Sequence, residues 1–367
     1  MSETNMMNIP ALAVSDAKRQ LLKLYITAIE KGIPFKKLPT PFYWGSPGVG
    51  KSESVYQLAD ALSAKTGKKV NVTDVRLLLF SPVDLRGVPV ADANREFTNW
   101  LKPKIFDMEA GEDYINILFL DELSAAPQSV QAAAYQICLD RKIGEHRLPD
   151  NCIVIAAGNR TTDRSVSYRM PNALANRLIH FNIISDFTSW KSWAMENGVS
   201  PKVIAYLSFD NTRLCVEPDG SDLAYPTPRS WAFVSTLLST VDDDPEKIHS
   251  LISGCVGNDT AIEFESFCKG VLKMPCIDDI FAGKCKEYPK AHDVLYALIT
   301  ALAGTVYNRH STLTLQELEN VCRYVSCLPQ DFVMVFMKDI GEIDGMNKRL
   351  MKCRSFQQWI SKNKEYI

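Results

Sequence analysis

The sequence predicts an α/β protein in which a central parallel sheet, flanked by helices, is followed by an all-helical region. Short apolar strands alternate with amphipathic helices as far as Asp186, and beyond it every periodic segment has helical spacing. The most apolar strands lack polar alternation, which is typical of strands buried on both faces. Strand–helix alternation predicts right-handed βαβ units and therefore parallel pairing.

The elements of the first region follow from periodicity and from glycine and proline boundaries. Strands are expected at residues 39–44, 69–80, 115–122, 152–159 and 179–184. Helices are expected at residues 15–31, 53–69, 127–141 and 171–178. Residues 81–112 mix proline, glycine and charge, which favours an elaborated loop with a short helix or hairpin, and residues 142–151 resemble a hairpin.

Length and composition favour a soluble protein of two or three domains. The chain has 367 residues, 46% of them hydrophobic and 23% charged, with a net charge of -2. A broad nucleic-acid footprint usually carries more excess Lys and Arg. The ten cysteines form no CxxC pair, and the chain shows neither a secretory signal nor an apolar run long enough for a bilayer. We therefore expect a cytoplasmic protein with reduced thiols and no membrane partner.

A glycine-rich loop joins the first of the predicted strands to a helix. It reads GSPGVGKS, and its residues are Gly45, Ser46, Pro47, Gly48, Val49, Gly50, Lys51 and Ser52. The glycines allow successive N–H groups to point inward, and the helix N-terminus favours bound phosphate. Lys51 is expected to reach the β- and γ-phosphates, and the Ser52 hydroxyl to ligate Mg²⁺. The predicted cofactors are therefore ATP and Mg²⁺.

A buried strand, ILFLDE, ends in two acidic residues. Asp121 is expected to hold Mg²⁺ through water, together with Ser52. Glu122 is expected to orient and deprotonate an attacking water. Both acids together indicate hydrolysis, because binding alone needs only the aspartate. The sequence therefore predicts a magnesium-dependent ATPase.

Three further polar residues are candidates for the reaction. Asn159 ends the strand CIVIAAG, where its amide is placed to bond the γ-phosphate or the attacking water; the alternative is a turn-forming asparagine. Arg177 and Arg229 are candidates for stabilising charge in the transition state. On physical grounds alone, a solvated or salt-bridged surface residue is the favoured interpretation of each arginine.

Together these motifs resemble the AAA+ ATPases, and within them the MoxR-like group. GSPGVGKS is similar to the Walker A motif, ILFLDE to Walker B, and Asn159 to sensor 1. By position the resemblance makes Arg177 the finger that reaches a neighbouring subunit's nucleotide, with Arg169 and Arg164 as alternatives. The TPR element resembles sensor 2 and assigns Arg229 to the γ-phosphate.

The resemblance also implies an architecture and a mode of action. It implies an α/β domain over residues 1–186 with a helix-2-type insertion at about 81–112, and a helical lid over 187–310. Residues 311–367 extend past the expected lid. The resemblance further implies a homo-oligomeric ring, usually a hexamer, that acts in a chaperone-like way on a protein client, often one with a von Willebrand factor A domain. Trp100 either faces the pore or packs the insertion onto the core.

Other functions are weighed against this expectation. A nucleic-acid-handling AAA+ protein of the helicase or loader type is the alternative, although near-neutral charge and the lack of a recognisable DNA-binding motif favour a protein client. A nucleotide-dependent scaffold without catalysis is a third, and Glu122 argues against it.

Overall fold

The computed structural model describes residues 8–160, 168, 170–220, 222–271, 274–285 and 287–362. By its internal contacts the chain divides into two units, Met1–Ser189 and Trp190–Ile367. The first unit combines sheet and helix, and the second is helical. The further division of the helical region at residue 311 stays a prediction.

The described part of the first unit contains ten strands. They are β1 (Ala11–Ala13), β2 (Thr40–Trp44), β3 (Lys69–Arg76), β4 (Val88–Ala91), β5 (Thr98–Leu101), β6 (Tyr114–Asp121), β7 (Lys142–Ile143), β8 (His146–Arg147), β9 (Cys152–Gly158) and β10 (Leu178–Ile184). Six of them form one sheet in the order β1-β10-β2-β9-β6-β3, and every neighbouring pair is parallel. Two antiparallel hairpins, β4–β5 and β7–β8, stand apart from it.

Helices of the first unit connect these strands. They are α1 (Val14–Glu30), α2 (Lys51–Thr66), α3 (Pro82–Arg86), α4 (Gln128–Asp140) and α5 (Asn172–Ala175). The sheet and its helices confirm the predicted α/β fold. The carboxyl ends of β2, β6 and β9 lie side by side at one sheet edge, which is where open parallel sheets bind ligands.

Side chains on both faces of the sheet are buried. In β6, Ile117 and Phe119 belong to one core cluster, whereas Leu118 and Leu120 belong to the other. This alternation explains why β6 is apolar at nearly every position rather than at every second one. Each fully buried side chain of this size contributes about 1.5–3 kcal/mol relative to leaving it exposed.

Three local expectations are corrected. β3 ends at Arg76, and Leu77–Leu79 forms a 3₁₀ turn instead of continuing the strand, with Leu79 76% exposed. β1 was not expected, because three residues are too few to show periodicity. The segment expected to contain a helix or a hairpin contains both, α3 and β4–β5.

The second unit begins within a helix and is entirely helical in its described parts. Its helices are α6 (Phe187–Glu196), α7 (Pro201–Phe209), α8 (Pro228–Leu238), α9 (His249–Val256), α10 (Asn258–Val271), α11 (Ile277–Phe281), α12 (His292–Asn308), α13 (Leu315–Val325), α14 (Gln330–Gly341), α15 (Met346–Leu350) and α16 (Arg354–Lys362). The short helices α11 and α15 were not expected. One core cluster joins α12 to α14 and includes Leu302 and Val306 together with Leu318 and Phe336. Across the described residues, none of the helices has the length and apolar character needed to span a bilayer.

Candidate functional site

The glycine-rich loop leaves β2 and turns into α2 at the sheet edge. Gly48 and Gly50 have φ values of 80° and 96°, a left-handed conformation that a side chain would strain. A Cβ on Gly45 would lie 2.8 Å from the Ile183 carbonyl oxygen, so that position tolerates no side chain. The predicted strand–loop–helix context is therefore present, with α2 beginning at Lys51.

Lys51 is buried, with 8% of its surface exposed, and its ammonium lies inside the loop. It donates hydrogen bonds to the carbonyl oxygens of Gly45 and Ser46 and to the Asn159 side-chain oxygen, the last two at 3.0 Å. Residues from the loop after β2 and from the end of β9 therefore meet at one cation. A phosphate bound in the loop would lie close to this positive charge.

Ser52 and Asp121 form a direct pair at the start of α2. The Ser52 hydroxyl donates to Asp121 Oδ2 at 2.8 Å, and Asp121 Oδ1 accepts the Glu122 backbone N–H at 2.8 Å. Oxygen ligands of this kind are the ones that Mg²⁺ prefers. The adjacent donor set fits the predicted metal, with Ser52 and Asp121 as the residues that would hold it.

Glu122 follows directly after β6 in an unusual backbone conformation. Its φ is 58°, a left-handed value uncommon for a residue with a side chain. The Glu122 carbonyl oxygen accepts the N–H groups of both Ala125 and Ala126, which closes a tight turn after the strand. Glu122 itself is half-buried, and its role as a base stays a prediction.

Asn159 is held by Ser124, a residue that the sequence analysis did not single out. The Asn159 N–H donates to Ser124 Oγ at 2.9 Å, and Ser124 Oγ donates to the Asn159 carbonyl at 3.0 Å. A Cβ on Gly158 would lie 2.6 Å from Ser124 Oγ, so this close approach needs glycine. The turn after β6 thereby fixes the end of β9.

Asp74 is a second residue that the sequence analysis missed. It lies on β3 beside β6 and accepts a hydrogen bond from the Tyr56 hydroxyl at 3.3 Å. Burial, with the Asp121 carboxylate second, raises the pKa of Asp74 above its ordinary value. Burial likewise raises the pKa of Tyr56. Neither residue belongs to a linear motif: the register of β3 against β6 places Asp74 near Asp121, and Tyr56 approaches from α2.

The arginines predicted to act on the phosphates lie in different parts of the chain. Arg177 is exposed on the turn between α5 and β10. Arg229 lies in the first turn of α8 in the second unit, where it is exposed and Thr227 caps the helix. Arg164 and Arg169 lie outside the described residues. The roles of Arg177 and Arg229 stay predictions.

Trp100 of the insertion lies on β5 and is partly buried. Its carbonyl oxygen accepts a hydrogen bond of 2.7 Å from His146 Nε2, which ties β5 to the β7–β8 hairpin. The insertion is thus anchored to the first unit through its backbone. This contact involves the Trp100 backbone only, and both predicted roles of its side chain stay open to experiment.

Comparison with known proteins relates this site to a family. Residues 42–180 match the model of the ATPase family associated with various cellular activities (AAA). No curated protein matches the chain.

Solved structures of similar proteins show only distant likeness. They include NtrX from Brucella abortus (15% identity, TM-score 0.35, covering 91% of this chain and 69% of that one). A mutant RuvB from Thermotoga maritima (16%, 0.35, 83% and 87%) and PCH-2 from C. elegans (14%, 0.37, 71% and 69%) are also similar. The family match spans the loop and the ends of β6 and β9, so residues 42–180 are similar to the ATPase domains of that family.

Proposed function

We propose that this chain is a MoxR-like AAA+ protein that hydrolyses ATP within an oligomeric ring and uses the energy to remodel a partner protein. One observation supports the catalytic part above all. Lys51, Ser52, Asp121, Glu122 and Asn159 come from three separate segments and lie together at the carboxyl ends of β2, β6 and β9.

The loop and the start of α2 would bind the triphosphate. The Lys51 ammonium is already enclosed by the loop, so it would exchange carbonyl partners for phosphate oxygens with little movement of its stem. A bound Mg²⁺ would supply charge neutralisation at the β- and γ-phosphates. Ser52 and Asp121 are the residues placed to hold it.

Glu122 would act as the general base on water. It follows Asp121 in a left-handed turn at the end of β6, and it is half-buried. Asn159, fixed by Ser124, would orient the water or the γ-phosphate. A positioned base of this kind contributes about 10²–10⁴-fold to the rate.

Arg177 would complete the site of a neighbouring subunit. Its exposure on a turn suits a residue that acts outside its own chain. Hydrolysis would then depend on assembly, for which we propose a homo-hexameric ring. Arg229 would contact the γ-phosphate from the helical region.

The insertion favours a protein client. Leu79, Phe97 and Leu101 are 76%, 70% and 58% exposed in and beside it. A groove of about 610 Å³ is lined by Leu79, Phe80, Val83, Asp84, Gly87, Val88, Leu101, Lys102, Pro103, Lys104 and Ile105. Exposed apolar surface of this kind marks protein contacts rather than phosphate-backbone contacts. We propose a cytoplasmic client, of which a von Willebrand factor A domain protein is the class that the resemblance implies.

A trapping experiment tests this proposal. Glu122→Gln protein should retain a client in the presence of ATP and release it in ADP, whereas the Lys51→Ala/Glu122→Gln double variant should retain none. The purified client should then stimulate ATP turnover by the wild-type protein. Stimulation by DNA that falls with salt, without a protein client, would instead support the nucleic-acid-handling alternative.

A further inference from the structure

His180 links the strand that leads into the phosphate-binding loop to the turn that carries Arg177. Trp44 Nε1 donates a hydrogen bond of 2.9 Å to His180 Nδ1. On the other side of the ring, His180 Nε2 lies 2.8 Å from the Ala175 carbonyl oxygen. Trp44 immediately precedes Gly45, and Ala175 lies two residues before Arg177.

The two partners determine the protonation pattern of the ring. An indole N–H only donates and a carbonyl oxygen only accepts. Nδ1 must therefore carry the lone pair and Nε2 the proton, which is the neutral Nε2–H tautomer. His180 is thus a directional connector, with an acceptor facing β2 and a donor facing α5.

The Ala175 carbonyl is a group that needs such a partner. α5 is a single turn, and the last carbonyl groups of a helix have no N–H donor within it. The following residues fold back on this turn, with the Arg177 N–H donating to the Leu174 carbonyl at 2.9 Å. The His180 bond therefore holds the same short turn from which Arg177 extends.

The other end of the connection is rigid. Trp44 is 8% exposed and packs on Phe42 with ring centroids 4.3 Å apart, and its ring also stacks with His180. Phe42 in turn lies close to Gly158 of β9, because a Cβ added to Gly158 would be 3.1 Å from the Phe42 ring. A packed path thus runs from the residue before Asn159, through β2, to His180.

We propose that His180 is a positioning residue for Arg177. By bonding the Ala175 carbonyl while Trp44 orients its ring, it holds the Arg177 turn at a set place relative to the phosphate-binding loop of its own subunit. The inference rests on the proposed role of Arg177 in the neighbouring site. It adds that the orientation of Arg177 depends on β2, the strand that leads into the phosphate-binding loop of the same subunit.

Two nearly isosteric substitutions separate the two bonds. Asn at position 180 places an oxygen where Nδ1 accepts from Trp44, and Gln places an N–H donor where Nε2 reaches Ala175. His180→Asn should lower kcat by about tenfold or more, since small displacements of a catalytic group are costly. His180→Gln should recover most of the wild-type kcat. KM for ATP and the affinity for a fluorescent nucleotide should change less than about twofold in both, because the loop itself is intact.

Thermal unfolding of both variants and of Trp44→Phe guards against a purely structural effect. Three results would overturn the proposal. In the first, His180→Asn and His180→Gln lose turnover equally and in proportion to the decrease in their melting temperatures. In the others, both variants keep wild-type turnover, or His180→Asn keeps it and His180→Gln does not. Trp44→Phe, which keeps an aromatic ring but removes the N–H, should show a smaller loss of kcat than His180→Asn. A Trp44→Phe variant with a larger loss would place the function at Trp44 instead.

A double-mutant cycle with Arg177 distinguishes this inference from the proposed function. Arg177→Ala alone tests the finger, and wild-type turnover in that variant would remove the finger role whatever His180 does. If Arg177→Ala is impaired, the Arg177→Ala/His180→Asn double variant should be no slower than Arg177→Ala. If instead the kcat losses of the two single variants multiply in the double variant, His180 acts independently of Arg177. That result would overturn the inference about His180 but not the proposed function.

Discussion

The Lys51 ammonium donates a hydrogen bond of 3.0 Å to the side-chain oxygen of Asn159. The lysine begins α2 and the asparagine follows β9, so this contact joins the phosphate-binding loop to the end of a neighbouring strand. A phosphate that draws the ammonium toward itself therefore also changes the surroundings of the Asn159 amide. We therefore expect nucleotide binding and the positioning of Asn159 to be coupled through this one cation.

Replacing Lys51 should abolish nucleotide binding. Lys51→Ala removes the buried cation that the loop encloses, so the affinity for a fluorescent ATP analogue should fall below detection at micromolar protein. Lys65→Ala, an exposed lysine on the same helix, is the matched control and should bind normally. Wild-type affinity in Lys51→Ala would remove the phosphate-binding assignment.

Replacing Glu122 should separate binding from hydrolysis. Glu122→Gln keeps the size of the side chain but cannot accept a proton from water, so kcat should fall by about 10²–10⁴-fold with little change in nucleotide affinity. Steady-state release of phosphate measures the effect. Glu112→Gln, an exposed glutamate before β6, should retain full turnover. Unchanged turnover in Glu122→Gln would assign the base to another residue.

Arg177→Ala should act on neighbouring subunits. If Arg177 serves the adjacent site, mixing Arg177→Ala protein with Glu122→Gln protein should restore part of the turnover, because an intact Glu122 in one subunit then lies beside an intact Arg177 in its neighbour. Arg147→Ala, exposed on β8, provides a control variant that should keep full turnover by itself. Mixtures no more active than the two variants measured separately would show that Arg177 does not act on a neighbouring subunit.

Gly158→Ala should disturb the end of β9. The added Cβ would meet Ser124 Oγ at 2.6 Å and the Phe42 ring at 3.1 Å, so the bond that fixes Asn159 must shift. We expect a loss of about 1–3 kcal/mol in stability and a lower kcat. Urea unfolding and steady-state kinetics measure the two effects. Gly254→Ala, where the added Cβ meets nothing within 4 Å, should be neutral or slightly stabilising.

The buried Lys191–Asp339 pair should control the stability of the second unit. The Lys191 ammonium lies 2.6 Å from Asp339 Oδ2, with side chains 9% and 12% exposed. Lys191→Met leaves the carboxylate without its partner and should cost about 3–5 kcal/mol at neutral pH. Asp339→Asn keeps the shape and should cost less than Lys191→Met. Urea unfolding of the second unit, followed by its tryptophans, measures both.

The same pair predicts a pH dependence. Burial raises the pKa of Asp339, and Lys191 opposes that rise only in part. The folded protein therefore holds this proton more tightly than the unfolded chain, whose carboxyl has a pKa of about 4. The free energy of unfolding should fall as pH rises from about 4 through the folded pKa. Asp339→Asn should flatten this slope, and Lys191→Met should steepen it; a steeper slope in Asp339→Asn would contradict the assignment.

Local patterns determined the α/β class, the strand and helix order and most of the candidate site. Lys51, Ser52, Asp121, Glu122 and Asn159 were predicted because each stands in a short motif at the end of a strand, and parallel strands bring their carboxyl ends together. Apolar runs and glycine boundaries are local properties, so no tertiary information is needed to read them.

Tertiary structure decided which other side chains support that site. Ser124 depends on a left-handed backbone at Glu122, Asp74 on the register of β3 against β6, and His180 on the pairing of β10 with β2. No spacing rule in the sequence marks these residues, because their partners lie 35 or more residues away or across a strand pair. Motifs determine the groups that do the chemistry, whereas long-range pairing determines the neighbours that hold them in place.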